Sequence, residues 1–214
     1  MKTLVTFFTA LALPLTLVAQ DDESAQTLFG RDKGTTGWYV EFPASYGQTD
    51  NSTLAAPGFG FGVTADNQLS IGFRAHGLTR GDDELYFGEA YNGDGAYMEG
   101  GYAGLLVEPK LSGNQPFHLS FPMLFALGGA SYTSSELFPE WDEDELDYHR
   151  KVLDTDAFLV FEPGVQLEVN VFRFMRFGMG VSYRCTKGIE FQDVRSTVLN
   201  GANFTTSLKF GKFR

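Results

Sequence analysis

The sequence has few of the residues on which several classes of protein depend. One cysteine among 214 residues excludes an internal disulfide and any multi-cysteine zinc or iron–sulfur site. Basic residues are also scarce, because 16 lysines and arginines face 27 acidic residues and give a formal net charge of −11. That balance disfavours nucleic-acid binding, which needs a basic face to meet phosphate. We expect no nucleic-acid partner, no cofactor and no metal centre.

The single long apolar run lies at the N-terminus. Lys2 precedes residues 4–18, which are almost all apolar, and Ala19 then precedes an acidic stretch. This order of charged start, apolar run and small residue predicts an export signal over residues 1–19. The run is short for a membrane anchor, and Pro14 interrupts it. Residues 20–33 are predicted to be a polar lead, and residues 34–214 to form one domain.

The remaining chain alternates between apolar and polar residues with a period of two. Trp38, Val40 and Phe42, for example, alternate with Tyr39 and Glu41. Such alternation is typical of strands with two unlike faces. It predicts eight strands at about residues 37–46, 55–65, 68–79, 97–111, 116–132, 156–170, 175–186 and 201–213.

The alternation along a strand does not show which of its two faces lines the interior, but the lengths of the connections between strands do. Their predicted lengths are about eight, two, seventeen, four, twenty-three, four and fourteen residues, so long and short alternate. This asymmetry is typical of membrane barrels with short periplasmic turns and long external loops. The sequence therefore predicts an all-β fold for residues 34–214. It would be an eight-stranded antiparallel up-and-down transmembrane β-barrel of the outer membrane, with both termini periplasmic.

The polar face would then line the lumen with four acids matched to four bases. An ion-selective pore is one interpretation, and a plug of ion pairs is the favoured one, because eight strands leave room for little besides side chains. The predicted lumen charge network is Glu41, Arg74, Glu108, Glu162, Glu168, Arg176, Arg184 and Lys209.

Two long connections, 80–96 and 134–153, are predicted to be solvated acidic loops outside the cell. Calcium or magnesium binding there is the alternative, but no EF-hand spacing is present. Their acidic residues include Asp82, Asp83, Glu84, Asp142, Glu143, Asp144, Glu145 and Asp147.

Residues 162–170 (EPGVQLEVN) and 177–184 (FGMGVSYR) carry a family resemblance. The pattern resembles the final hairpin of the small outer-membrane β-barrels of Gram-negative bacteria, the OmpA/OmpX-like and porin-family-like barrels. The family strand usually ends on an outward aromatic residue, whereas Phe213 here has inward parity. The resemblance implies an integral protein of outer-membrane lipid, inserted by the outer-membrane assembly machinery. We expect a monomer, because a closed barrel has no free edge that requires a partner. We also expect a non-enzymatic role in membrane integrity or surface interaction.

Three other functions stay open at this point. A narrow channel for small solutes is the first, and a soluble lipocalin-like carrier with the two faces reversed is another. His118 and Ser120 lie on one face of strand five, as in barrel-type lipid A deacylases, where a histidine activates a serine nucleophile. Glu108 or Glu162 would then orient the histidine. No catalytic residue is assigned, because the pair has lumen parity.

Overall fold

The computed structural model of the protein describes residues 36–48, 53–80, 96–142, 145–190 and 196–213. The predicted export signal and polar lead lie outside these residues. Asp82, Asp83, Glu84, Glu143 and Asp144, all predicted to be external, lie outside them as well. Within the described residues, no helix is long and apolar enough to cross a membrane.

Antiparallel strands form a single sheet that closes on itself. β1 pairs with β9 along ten residue pairs, Trp38↔Lys212 to Gly47↔Asn203, and this pairing joins the two ends of the sheet. β5 and β6 both pair with β4 on one side and β7 on the other, so the barrel has eight strand positions, as predicted. The strands are β1 Thr36–Gln48, β2 Thr53–Ala65, β3 Leu69–Arg80, β4 Ala96–Leu111, β5 Phe117–Ser120, β6 Met123–Asp142, β7 Glu145–Phe172, β8 Met175–Lys187 and β9 Gly201–Lys212.

The break between β5 and β6 falls at Pro122 inside the predicted fifth strand. Proline has no N–H to give to the ladder. The neighbouring bonds persist, since the Phe121 N–H donates to the Pro109 carbonyl at 2.9 Å and the Gly164 N–H donates to the Pro122 carbonyl at 2.8 Å. The register therefore runs through the break, and β5 and β6 occupy one position in the barrel.

The prediction that residues 134–153 form a loop is wrong, because β6 and β7 continue there as a paired hairpin. The ladder extends to Asp142↔Glu145, with irregular register between Tyr132 and Leu137. Asp142, Glu145 and Asp147 therefore lie on strands and not in a loop. The alternation signal stops near residue 132, but a ladder already started by the barrel can continue without an apolar face.

The two ends of the barrel differ. One end, which we call the turn end, carries the connections 66–68, 112–116 and 173–174 together with Thr36 and Phe213. The other, the hairpin end, carries the last residues of β1, β3, β6 and β8. Side chains alternate in and out along each strand, so that Trp38 and Phe42 are exposed while Tyr39 and Glu41 are buried.

Candidate functional site

The charged interior of the barrel is the candidate site. All eight side chains of the predicted lumen network are buried, with 0 to 7% of their surface exposed. Lys110 is buried with them at 2% and was missed in the sequence, although it shares the parity of Glu108 two residues earlier. The predicted match of four acids to four bases is therefore wrong. Among the described residues, the buried lumen set has four carboxylates and five lysine or arginine side chains.

Lys209 is the centre of a charge network in the half of the lumen nearer the turn end. Its Nζ donates to both carboxylate oxygens of Glu108, at 2.7 and 2.6 Å, and to Glu168 Oε1 at 2.5 Å. Lys110 Nζ lies 3.1 Å from Glu108 Oε1 and 3.6 Å from Glu168 Oε2. Its contact with Glu108 is not aligned as a hydrogen bond. Two lysines thus neutralise two carboxylates, and the four side chains come from the three strands β4, β7 and β9.

Glu41 and Arg74 form a forked ion pair beside this centre. Arg74 Nε donates to Glu41 Oε1 at 2.7 Å, and Arg74 Nη2 donates to Glu41 Oε2 at 3.0 Å. Gly60 leaves room for the pair, because a Cβ there would lie 2.6 Å from Glu41 Oε1. A forked arginine–carboxylate pair is among the stronger hydrogen-bonded contacts in proteins.

His118 belongs to the charge network and does not face Ser120 as a catalytic base would. Its Nε2 lies 2.8 Å from Glu168 Oε2, and its Nδ1 lies 3.3 Å from the Gln115 carbonyl. Both ring nitrogens therefore face acceptors, while the buried Ser120 Oγ has no hydrogen-bond partner in the described part of the chain. This geometry does not activate Ser120, and both side chains lie inside the barrel, away from its outer surface.

Metal-binding and thiol groups are sparse in the described residues. They contain no group of three or more histidine, cysteine or acidic side chains suited to a metal ion. Cys185 is a free thiol.

A second cluster surrounds Glu162 nearer the hairpin end. Glu162 accepts hydrogen bonds from the Ser182 hydroxyl at 2.6 Å and the Tyr102 hydroxyl at 2.8 Å. Arg184 Nε lies 3.4 Å from the same carboxylate, and Arg184 Nη2 lies 3.3 Å from Asn203 Oδ1. Between this cluster and the Glu41–Arg74 pair lies a cavity of about 10 Å³, which is no larger than one water molecule needs.

Arg176 lies apart from both clusters at the turn end. Its Nη2 donates to Asn67 Oδ1 at 2.9 Å, and its guanidinium carbon lies 4.0 Å from the centre of the Phe213 ring. Phe213, predicted to have inward parity, is buried. Arg176 therefore shares the predicted lumen position of the other charges, but it is not joined to their network.

An apolar cluster fills the interior towards the hairpin end, where the sequence predicted only small and polar side chains. Ile189, Val198 and Leu199, from the connection between β8 and β9, pack on inward side chains of the barrel. Asn200 Oδ1 anchors this connection by accepting from the N–H and the hydroxyl of Thr186, at 2.6 and 2.7 Å. The other members are Leu54, Ala56, Leu78, Tyr102, Leu106, Leu124, Ala126, Ala130, Phe158 and Val160.

Comparison with known proteins places this fold. No protein-family model and no curated protein sequence matches the chain. The solved structure of Neisserial surface protein A (NspA) matches with a TM-score of 0.52 and 9% identity, over 84% of this chain and 99% of that one. The match shows that the chain has the fold of the small eight-stranded outer-membrane barrels, and it confirms the predicted fold class.

Two further solved structures are similar at lower scores. A major outer membrane protein from Thermus thermophilus matches with a TM-score of 0.46 and 12% identity, over 83% of this chain and 99% of that one. Ail, the attachment invasion locus protein of Yersinia pestis, matches with a TM-score of 0.43 and 12% identity, over 83% of this chain and 98% of that one.

Proposed function

We propose that the chain is an integral protein of a bacterial outer membrane, with a closed lumen and no catalytic activity. The observation that carries this proposal is that the apolar face of the barrel lies outside and the charged face inside, the reverse of a water-soluble barrel. Large apolar side chains are exposed at every strand position, while the lumen charges are buried. Water does not favour such an outer surface, whereas a bilayer does. One exposed residue from each position is Trp38, Phe61, Phe73, Leu105, Phe125, Leu159, Val181 and Phe204.

The two unlike ends of the barrel support an orientation. Membrane barrels of this kind place their short turns in the periplasm and their longer connections outside. The first described residue, Thr36, and the last, Phe213, both lie at the turn end. On this proposal both ends of the barrel chain face the periplasm, and the β6–β7 hairpin faces the exterior.

The filled interior supports a closed lumen and not a solute channel. Lys209 joins strands across the barrel through Glu108 and Glu168. The apolar cluster of Ile189, Val198 and Leu199 lies beyond these ion pairs, towards the hairpin end. A permeating ion would have to break buried ion pairs and pass apolar side chains, both of which are unfavourable.

The role that fits such a barrel is membrane integrity or surface interaction. Its partners would be outer-membrane lipid and the outer-membrane assembly machinery, and its surface ligand would meet the hairpin end. We propose a monomer, because β1 and β9 pair with each other and leave no edge at the point of closure.

Membrane fractionation followed by a gel of unboiled and boiled protein tests the membrane assignment. The proposal predicts an outer-membrane band whose mobility changes on boiling, because a closed barrel resists detergent until it is heated. A periplasmic protein without this change would contradict the proposal. It would favour the lipocalin-like carrier, in which the apolar residues bind a ligand.

A further inference from the structure

Arg176 differs from the other buried lysine and arginine side chains of the lumen. Arg74, Lys110, Arg184 and Lys209 each lie within 4.0 Å of a carboxylate. Arg176 has 1% of its surface exposed, and its Nε and Nη1 have no hydrogen-bond partner among the described residues. A buried guanidinium with unused N–H groups is unfavourable unless an acceptor meets it. Among the described residues, Arg176 is therefore the one buried base of the lumen without a carboxylate partner.

Arg176 lines a cavity of about 540 Å³ at the turn end. Arg173 from the β7–β8 turn lines the same cavity, so two arginines border it. Asn67 and Asn114 lie on the opposite connections, with Asn67 Nδ2 donating to Asn114 Oδ1 at 2.8 Å. That bond uses the oxygen of Asn114 and leaves its NH₂ group as a donor. Among the described lining residues there is no carboxylate.

One side of the cavity rim is aromatic and exposed, because Phe172 lines the cavity and Phe174 packs against it. Phe172 and Phe174 stack with their ring centres 5.5 Å apart, and both rings are exposed at the turn end. Aromatic side chains in this position are typical of the boundary between lipid headgroups and acyl chains. The cavity therefore combines cationic walls with a rim suited to a lipid surface.

We propose that this cavity binds a phosphate oxyanion, held by Arg176 and Arg173. Arginine is the side chain whose fork of N–H donors best matches phosphate oxygens. The phosphate can come from an anionic phospholipid headgroup of the adjoining leaflet or from free phosphate. The lipid source rests on the proposed membrane location, whereas the oxyanion site itself does not.

The test uses the full barrel folded in a nonionic detergent. Native mass spectrometry counts retained phosphatidylglycerol, and phosphorus NMR measures the binding of inorganic phosphate in a separate sample. Three proteins are compared: wild type, Arg176→Gln, and Lys187→Gln. Lys187 is a matched control, because it is an exposed cation at the hairpin end of the same strand, β8. The gel shift on boiling establishes beforehand that each protein is folded.

The proposal predicts one retained phosphatidylglycerol in the wild type and in Lys187→Gln. It predicts a loss of about tenfold or more in affinity for Arg176→Gln, as expected when charge-assisted hydrogen bonds are removed. Binding of inorganic phosphate without lipid retention, with the same dependence on Arg176, would support the site and assign it to free phosphate.

Two results would overturn the proposal. One is that neither probe binds the folded wild type, and the other is that Arg176→Gln and Lys187→Gln bind equally well. If Arg176→Gln does not fold, Arg173→Gln on the exposed turn takes its place, with the same expected direction. A wild type without a gel shift would instead contradict the proposed membrane barrel, so the two failures are distinguishable.

Discussion

Lys209 on β9 and Glu108 on β4 meet across the full width of the barrel. Their strands are four positions apart in either direction around the ring, and the residues are 101 apart in sequence. Lys209 Nζ nevertheless contacts both oxygens of Glu108, at 2.7 and 2.6 Å. The two side chains extend from opposite walls and meet inside the lumen, so this ion pair forms a tie through the lumen.

Removing the tie should destabilise the barrel more than removing an exposed charge. Lys209→Met leaves Glu108 and Glu168 buried with Lys110 as their remaining lysine, and we expect a loss of about 3–5 kcal/mol in the free energy of unfolding. Urea unfolding of the protein in lipid vesicles, followed by tryptophan fluorescence, measures this value. Adding Glu108→Gln to the variant should recover part of the loss, since it removes the one carboxylate charge in excess of Lys110.

The control for this experiment lies on the same strand. Lys212 is exposed, three residues beyond Lys209, and Lys212→Met should change stability by no more than about 0.5 kcal/mol. Equal stability of Lys209→Met and wild type would show that the tie does not contribute to folding.

The barrel could be predicted from sequence because apolar and polar residues alternate along each strand, which distinguishes its two faces. Trp38, Val40 and Phe42 face outwards and Tyr39 and Glu41 face inwards, and this period survives in every barrel strand. Lys110 could have been found by the same rule, since it lies two residues from Glu108. The strand extension beyond Tyr132 could not be predicted, because the alternation ends there while the pairing of β6 with β7 continues.

The contacts between side chains inside the barrel could not be predicted either. Alternation along a strand shows whether a side chain points inwards, but it does not show which side chains of other strands it meets. Ile189, Val198 and Leu199 belong to a connection without alternation, and only the closed fold brings them onto the inward side chains of other strands. The pairing of Lys209 with Glu108, and that of Arg176 with Asn67, depend in the same way on which strands lie next to or opposite each other in the ring.

Gly60 gives a test of packing in the lumen. A Cβ at residue 60 would lie 2.6 Å from Glu41 Oε1 and 2.8 Å from the Phe73 carbonyl oxygen. Gly60→Ala should therefore displace the Glu41–Arg74 pair and lower the free energy of unfolding by about 1–3 kcal/mol. Gly77→Ala is the matched control, because a Cβ there meets nothing within 4 Å. If the two alanine variants were equally stable, the proposed close packing around Glu41 would be incorrect.

The stability cost of a charge on the outer face should depend on how deep in the bilayer that charge lies. Val181 lies near the middle of β8 and is 60% exposed, while Phe172 at the turn end is 57% exposed. In a bilayer, Val181→Arg should cost about 2–4 kcal/mol and Phe172→Arg about 0–1 kcal/mol, because arginine is least favourable at the midplane. Unfolding in lipid vesicles measures both. Similar costs for the two variants would argue that the exposed belt does not meet lipid.

The measurement that tests the closed lumen most directly is the electrical conductance of planar bilayers containing the folded wild-type protein. Insertion is first established by the gel shift of protein recovered from the same membranes. Because ion pairs and an apolar cluster occupy the interior, we predict that inserted protein gives no current steps above the bare bilayer. Regular, reproducible steps from inserted wild type would contradict a closed lumen and show that the barrel is a channel.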